Sequence, residues 1–420
     1  MKRLIGRRVA FNAASQMGAF GSALVIQTLY MIVVARVLGP EDFGRYSFAW
    51  SMVQIFLIAG DLGLHNTAVR EISSKPEASV EAASRLLGLK LGLTCGFCAL
   101  ICVLAMVLNL ENPTRYALVL FGFGMLPHSM SVAINVLYQA HGKLYLASFN
   151  VVFIFATQFI VGVAVLVAGG RVVALASVYT VATSIALLVN LGIFVRNVHR
   201  LKWSRPVGCL AFLKKSLPVG VGSLMKSTSS RIGIALLTLM IGPFDTGVFA
   251  AAHRMTSALS NVPMAVVSAL LPVLASHQGN PEALRQVVKK SVGILFLAAG
   301  ALTVALLVLA DPLISIVYGE DYLGAIGMLR ILAWSLIPVF VGMAFENVVL
   351  SQNALVKVFP VVTGCALLVH LVACTLLIPA IGAVGVAWST LISETLLAIL
   401  MMVFALRFLV GRRRREVGEA

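Results

Sequence analysis

Twelve long apolar runs divide this chain of 420 residues, and their succession limits the folds open to it. A stretch of about 20 apolar residues is long enough to cross a bilayer as an α-helix. Only 11% of the residues are charged, against roughly 25% in an ordinary soluble domain. The chain lacks the alternating ten-residue segments of an outer-membrane barrel. The sequence therefore predicts an all-α integral membrane protein with twelve transmembrane helices.

The predicted spans alternate with loops whose charges indicate the topology. The approximate ranges are 9–38, 43–70, 84–108, 116–140, 144–168, 172–195, 212–241, 246–274, 287–310, 324–351, 355–378 and 382–408. Lys and Arg accumulate in cytoplasmic loops, because these charges resist translocation. Of the 32 Lys and Arg residues, 24 fall on the side of the two termini, including Lys90 after span two, and five on the opposite side. Both termini are predicted to be cytoplasmic.

The basic character of the chain has two interpretations. A net charge of +16 and the run Arg412 to Arg415 could indicate a nucleic-acid partner. The loop distribution explains the same excess, so no nucleic-acid partner is expected. Cys95 and Cys98 form a CxxC pair inside an apolar helix without a nearby His, so neither a metal site nor a cofactor is expected.

One turn occurs twice in the chain. "LGPEDFGRYSFA" at 38–49 and "IGPFDTGVFAAA" at 241–252 share a Gly-Pro pair, and the two copies are 203 residues apart. Six spans separate the copies, which predicts a parallel internal repeat of two six-helix lobes and a MATE-like fold. The predicted domains are an N-terminal lobe at 1–195, a cytoplasmic linker at 196–211 and a C-terminal lobe at 212–420.

The turn has a physical interpretation in each lobe. Gly39 and Pro40 are predicted to end one helix, and Asp42 to cap the next.

Two similar lobes that face a central cleft are typical of alternating-access transporters. Within span seven, Pro218 with Gly220 and Gly222 is the best candidate for a hinge.

Span seven contains six consecutive polar residues, "KSTSSR", at 226–231. The alternative, that these residues form a loop, is disfavoured because the aligned stretch 23–28 of span one, "ALVIQT", is uninterrupted. A charge at mid-bilayer costs roughly 2.5–3.5 kcal/mol on insertion scales, so each one is a functional candidate. Lys226 and Arg231 are five residues apart, about 140° around a helix, so at most one of them points directly into a cleft.

These polar residues and other cations predict an anion-binding cavity. Its candidate residues are Lys226, Arg231, Arg254, Arg36, Ser227 and Ser230. For Arg36, near the outer end of span one, the alternative is a side chain that extends to the membrane interface. Several cations around spans one, seven and eight would form a receptor for a negatively charged ligand.

Three acidic residues also lie within spans: Asp61, Glu346 and Glu394. Each could neutralise a cation, bind a coupling H⁺ or Na⁺, or complete a hydrogen-bonded contact between helices. The chain contains neither a glycine-rich phosphate loop nor an HExxH motif, so an enzyme is not expected. The energy for transport would then come from an ion gradient, the membrane potential or the substrate gradient.

The sequence resembles the polysaccharide-unit (O-antigen-type) flippases of the multidrug/oligosaccharidyl-lipid/polysaccharide (MOP) exporter superfamily. The segments that carry the resemblance are "ARVLGPEDFGRYSFA", "DLGLHNTAVRE", "SLPVGVGSL", "IVYGEDYLGAIGMLRIL" and "IPAIGAVGVAWSTLISE". The resemblance implies a flippase of the bacterial inner membrane for undecaprenyl-diphosphate-linked oligosaccharide units used in O-antigen, capsule or exopolysaccharide assembly. The diphosphate would be the anion that the cations bind. A polysaccharide polymerase and a chain-length regulator are implied as partners.

Two other functions compete with this one. An ion-coupled multidrug exporter shares the fold, but a cavity lined by cations suits cationic drugs poorly. A membrane-embedded glycan polymerase or ligase would carry a large outer loop with catalytic residues. The outer loops predicted here are short, which disfavours such an enzyme.

Overall fold

The computed structural model describes residues 2–74, 79–197, 208–263, 281–352 and 355–418, and it contains no β-strand in these ranges. The helices are α1 (Lys2–Asp61), α2 (Leu64–Ser74), α3 (Ser79–Val107), α4 (Asn112–Ala140), α5 (Leu144–Val167), α6 (Val172–Asn197), α7 (Cys209–Met240), α8 (Pro243–Leu259), α9 (Pro281–Val317), α10 (Ala325–Ser351), α11 (Val358–Ile381) and α12 (Ala383–Gly418). A short 3₁₀ helix, Glu320–Tyr322, connects α9 to α10.

The described helices overlap all twelve predicted spans. Within the described ranges, nine helical stretches are long and apolar enough to cross a membrane. One of them, Ser15–Ser73, contains two arms because α1 turns at Gly39. Two predicted spans are not among these nine: α7, whose polar residues lower its hydropathy, and α8, whose predicted range extends into residues 264–280, outside the described part. The prediction of an all-α membrane fold is confirmed.

The repeated Gly-Pro turn has a similar backbone conformation in both copies. Gly39 has φ 74° and ψ 172°, and Gly242 has φ 135° and ψ 176°. Both φ values lie in the region that favours glycine over residues with a side chain. Each glycine precedes the proline at which the next helical segment begins, a position where the missing N–H is tolerated. The sequence repeat is therefore also a repeat of backbone structure.

The predicted capping role of Asp42 is wrong. Its carboxylate is buried, accepts a hydrogen bond from Arg45 Nη1 at 2.6 Å and forms an ion pair with Arg171 Nε at 3.1 Å. In the second copy, α8 likewise begins without a side-chain cap. Gly39 and Pro40 already define the start of the helical segment in the first copy. The Asp42 carboxylate can therefore pair with Arg171, the residue that precedes α6.

The predicted span two is interrupted, contrary to the uninterrupted range 43–70. Helix α1 ends at Asp61, Leu62 and Gly63 adopt φ values of 39° and 78°, and α2 begins at Leu64. The reason is close packing: a Cβ placed on Gly220 of α7 would lie 2.1 Å from the carbonyl oxygen of Leu62. The chain turns here so that two backbones can meet.

The chain divides into two compact units, Met1–Leu224 and Met225–Ala420, and the division falls inside α7. Most of the predicted linker 196–211 lies outside the described residues. In the first unit, α2, α3, α4 and the start of α7 share a core that includes Leu64, Leu86 and Phe212. In the second unit, α10, α11 and α12 share a core that includes Phe345 and Phe359.

A buried polar network joins α4, α5 and α6 in the first unit. Asn190 Nδ2 donates to the Ser131 carbonyl at 3.1 Å and to Asn135 Oδ1 at 3.2 Å, and Asn150 Nδ2 donates to the same Asn135 oxygen at 3.1 Å. Tyr138 donates its hydroxyl to the Asn190 carbonyl at 3.0 Å. Interhelical hydrogen bonds of this kind hold helices together where apolar burial gives no preference over lipid.

We expect Asn190→Ala to lower the stability of the folded protein by about 1–2 kcal/mol, because several interhelical hydrogen bonds are lost together. Thermal unfolding of the detergent-solubilised protein measures the change. Asn347→Ala is the matched control, since Asn347 Nδ2 donates to the Met343 carbonyl of its own helix, at 2.7 Å, and among the described residues it makes no hydrogen bond to another helix. Equal melting temperatures for the two variants would contradict a role of the network in stability.

Candidate anion-binding site

The polar segment of α7, residues 226–231, lies inside a continuous helix from Cys209 to Met240. The prediction that it is helical rather than a loop is confirmed. The Ser230 hydroxyl donates to the Ser227 carbonyl at 2.9 Å, which satisfies the hydroxyl within its own helix. Helical geometry is therefore compatible with the unusual polarity of this segment.

Lys226 is paired with an acidic side chain. Its Nζ forms an ion pair with Glu346 on α10, and the side chains are 33% and 15% exposed, respectively. Glu394 on α12 lies within electrostatic range of both groups. The structure thus brings one predicted cation together with two of the three predicted acids, and the Lys226 charge is neutralised by a carboxylate in this arrangement.

Arg231 differs from Lys226 in its contacts. Its Nη1 donates to the Ser227 carbonyl at 3.3 Å and to Ser230 Oγ at 3.0 Å, both within α7. Within the part of the chain that the structure describes, no acidic side chain forms an ion pair with Arg231. Arg254 on α8 is the charged group in electrostatic range of it, and it has the same sign. Two half-buried guanidinium groups therefore reinforce each other's positive potential.

Aromatic and imidazole side chains lie in electrostatic range of the two arginines. His253 stacks on Phe249, with ring centroids 5.7 Å apart, and lies in electrostatic range of both arginines. Tyr318 lies within electrostatic range of Arg254. A guanidinium has five N–H donors in a planar fork that matches phosphate and carboxylate oxygens. This part of the second unit is thus suited to bind a phosphate-type anion.

The remaining predicted site residues lie in the first unit or at its edge. Arg36 is exposed on α1, in the first unit, whereas Lys226, Arg231 and Arg254 belong to the second. The assignment of Arg36 to the anion site therefore stays a prediction. Asp61, the third predicted acid, forms an ion pair with Lys90 of α3 at 2.7 Å.

The prediction that Lys90 is a cytoplasmic loop charge is wrong. Lys90 lies within α3, its side chain is 3% exposed, and its Nζ contacts the Asp61 carboxylate. His65 lies in electrostatic range of this pair, and its Nε2 is 3.0 Å from Gln139 Oε1. The sequence does contain a sign of this burial, because Lys90 is six residues inside the predicted span 84–108.

The predicted hinge residues lie within an unbroken helix. Pro218, Gly220 and Gly222 are all inside α7, which continues past the proline without a turn. Gly220 is in close contact with the corner between α1 and α2, and a Cβ on Gly63 would meet the Ser216 carbonyl oxygen at 2.7 Å. The hinge role stays a prediction, and the observed role of Gly220 is to permit backbone contact.

Comparison with family models gives the relationship of the chain to known proteins. A model described as "Polysaccharide biosynthesis protein" matches residues 9–278, which is more than half of the chain. The chain belongs to this family. A second model, MatE, matches residues 218–376. No curated protein matches the chain.

Solved structures of MOP-superfamily proteins share the fold of this family member. An inward-facing multidrug-resistance MATE transporter has a TM-score of 0.72 at 17% identity, covering 94% of this chain and 96% of that one. The lipid II flippase MurJ in an inward closed conformation has a TM-score of 0.70 at 12% identity, covering 92% and 86%. A transporter from Pyrococcus furiosus, described as having a binding pocket of reverse polarity, has a TM-score of 0.69 at 16% identity, covering 95% and 96%. The predicted MATE-like fold is confirmed.

Proposed function

We propose that this protein is a flippase that moves undecaprenyl-diphosphate-linked oligosaccharide units across the bacterial inner membrane by alternating access. Both termini would be cytoplasmic, and the translocated unit would enter assembly of a surface polysaccharide. Membership of the polysaccharide biosynthesis family and the MATE-like fold support this class of activity. A polysaccharide polymerase and a chain-length regulator would be the partners that use the product.

The observation that carries the proposal is Arg231, which lies in electrostatic range of Arg254 and forms no ion pair with an acidic side chain of the described residues. A half-buried guanidinium without a counter-anion is costly unless an anion arrives to pair with it. The diphosphate of a polyprenyl-linked sugar carries several oxygens that two guanidinium groups within electrostatic range of each other could bind. A multidrug exporter for cationic compounds would require the opposite sign of charge at this position.

Deletion of the gene tests the proposed function. The deletion strain is expected to accumulate a lipid-linked oligosaccharide that an external sugar-modifying enzyme cannot reach in spheroplasts. Re-expression of the wild-type protein should make the same lipid accessible from outside. Mass spectrometry of the extracted lipid would identify the sugar unit.

A strain that lacks the polysaccharide polymerase serves as the control. It should accumulate the same lipid with the sugar on the outer leaflet. Accumulation in the flippase deletion with full external accessibility would contradict the proposal, as would a normal level of surface polysaccharide in that strain.

A further inference from the structure

We propose that Glu346 is a tethered anion that occupies the phosphate-binding position at Lys226 while the site is empty, and that the substrate diphosphate displaces it. This inference rests on the proposed function and concerns the regulation of the same site. It assigns different roles to two cations on one helix. Arg231 can bind the ligand directly, whereas Lys226 can bind it only after the ligand phosphate has replaced the Glu346 carboxylate.

The first argument is the pairing pattern. Glu346 approaches α7 from α10 and forms its ion pair with Lys226. Arg231 lies five residues further along the same helix, and in the described residues it has hydrogen bonds only to Ser227 and Ser230 of α7. The carboxylate is therefore placed at one cation and not at the other.

The second argument is the charge of the empty site. Lys226, Arg231 and Arg254 carry three positive charges, and a bilayer interior stabilises such charges poorly. A carboxylate at Lys226 lowers this cost in the absence of substrate. Exchange of carboxylate for phosphate at the ammonium replaces one charge-assisted hydrogen bond by another, so the net gain from Lys226 is small. A small gain limits affinity and allows release of the diphosphate after transfer.

The exposure of the pair is consistent with exchange. The Lys226 side chain is 33% exposed, so a ligand can reach it without unfolding of α7. Glu394 lies in electrostatic range of Lys226 and is not its ion-pair partner. Both residues are glutamates, so they offer a comparison between a direct partner of Lys226 and a nearby carboxyl group that does not pair with it.

Binding of inorganic pyrophosphate to the purified full-length protein, measured by titration calorimetry at low ionic strength, tests the inference. Glu346→Gln is expected to bind pyrophosphate about tenfold more tightly than wild type, because Lys226 no longer has to be released. In the double variant Lys226→Gln/Glu346→Gln, affinity should return to within about threefold of the wild-type value, since the gain requires the lysine. Glu346→Asp, which retains a shorter carboxylate, should fall between wild type and Glu346→Gln.

Glu394→Gln is the matched control, with an expected gain below about threefold, because it changes a nearby carboxyl group without freeing Lys226 from its ion pair. An equal gain in Glu394→Gln and Glu346→Gln would overturn the tethered-anion role, and so would unchanged affinity in Glu346→Gln and Glu346→Asp. The proposed function is tested separately by Arg231→Gln. If that variant loses pyrophosphate binding while Glu346→Gln gains none, the anion site stands and the tethered anion does not.

Discussion

Arg231→Gln is expected to lower the rate of lipid-linked glycan transfer by about ten- to a hundredfold, with the protein still present in the membrane at the wild-type level. The reason is the loss of a guanidinium that forms no ion pair with an acidic side chain in the part of the chain that the structure describes, and that is therefore available to the diphosphate. A hydrogen bond to a charged group contributes about 1.5–3 kcal/mol, which corresponds to this range of rates. Transfer is measured as restoration of surface polysaccharide, or of externally accessible lipid, in the deletion strain.

Two further variants separate this effect from a general loss of positive charge. Arg330→Gln removes a guanidinium that is 48% exposed and paired with Asp311 at 2.7 Å, so its effect on transfer should be less than about twofold. Lys226→Gln should slow transfer less than Arg231→Gln does, because Lys226 is already paired with Glu346. Wild-type transfer by Arg231→Gln would remove the basis of the anion site.

Hydropathy and the repeated turn predict the fold because both depend on local sequence. An apolar run long enough to cross the bilayer has few alternatives to a helix. Gly39 and Gly242 occupy positions with positive φ, and the proline after each begins the next helical segment, so the duplicated motif predicts the duplicated turn. The helical state of residues 226–231 follows from the same repeat, since the aligned part of span one is uninterrupted.

Pairing between distant residues could not be predicted in this way. Lys226 and Glu346 are 120 positions apart, and their contact depends on how α7 and α10 are rotated about their axes. Sequence spacing defines the face of one helix but not which face of another helix it meets. The Lys90–Asp61 pair also depends on how two helices meet. In addition, a lysine close to the boundary of a predicted span is easily assigned to the neighbouring loop. The break at Leu62 and Gly63 depends on contact with Gly220, far along the chain.

Gly220→Ala is expected to destabilise the folded protein by about 3 kcal/mol or more and to reduce its amount in the membrane. The added Cβ would lie 2.1 Å from the carbonyl carbon and oxygen of Leu62 and 2.8 Å from the backbone nitrogen of Gly63. Backbone atoms cannot move aside as a flexible side chain can. Leu62 already has a φ of 39°, a conformation that costs energy for a residue with a side chain, so the corner has little freedom to adjust.

Gly192→Ala provides the control, because it places the same methyl group on a helical glycine of α6 whose Cβ would meet no atom within 4 Å. That variant should be neutral or more stable by up to about 1 kcal/mol. The comparison also tests the hinge hypothesis for Pro218, Gly220 and Gly222. A hinge that needs the freedom of glycine predicts a Gly220→Ala protein that melts at the wild-type temperature but transfers its substrate slowly. A backbone contact predicts a lower melting temperature, with activity per folded molecule retained, because the methyl group acts on packing rather than on the anion site.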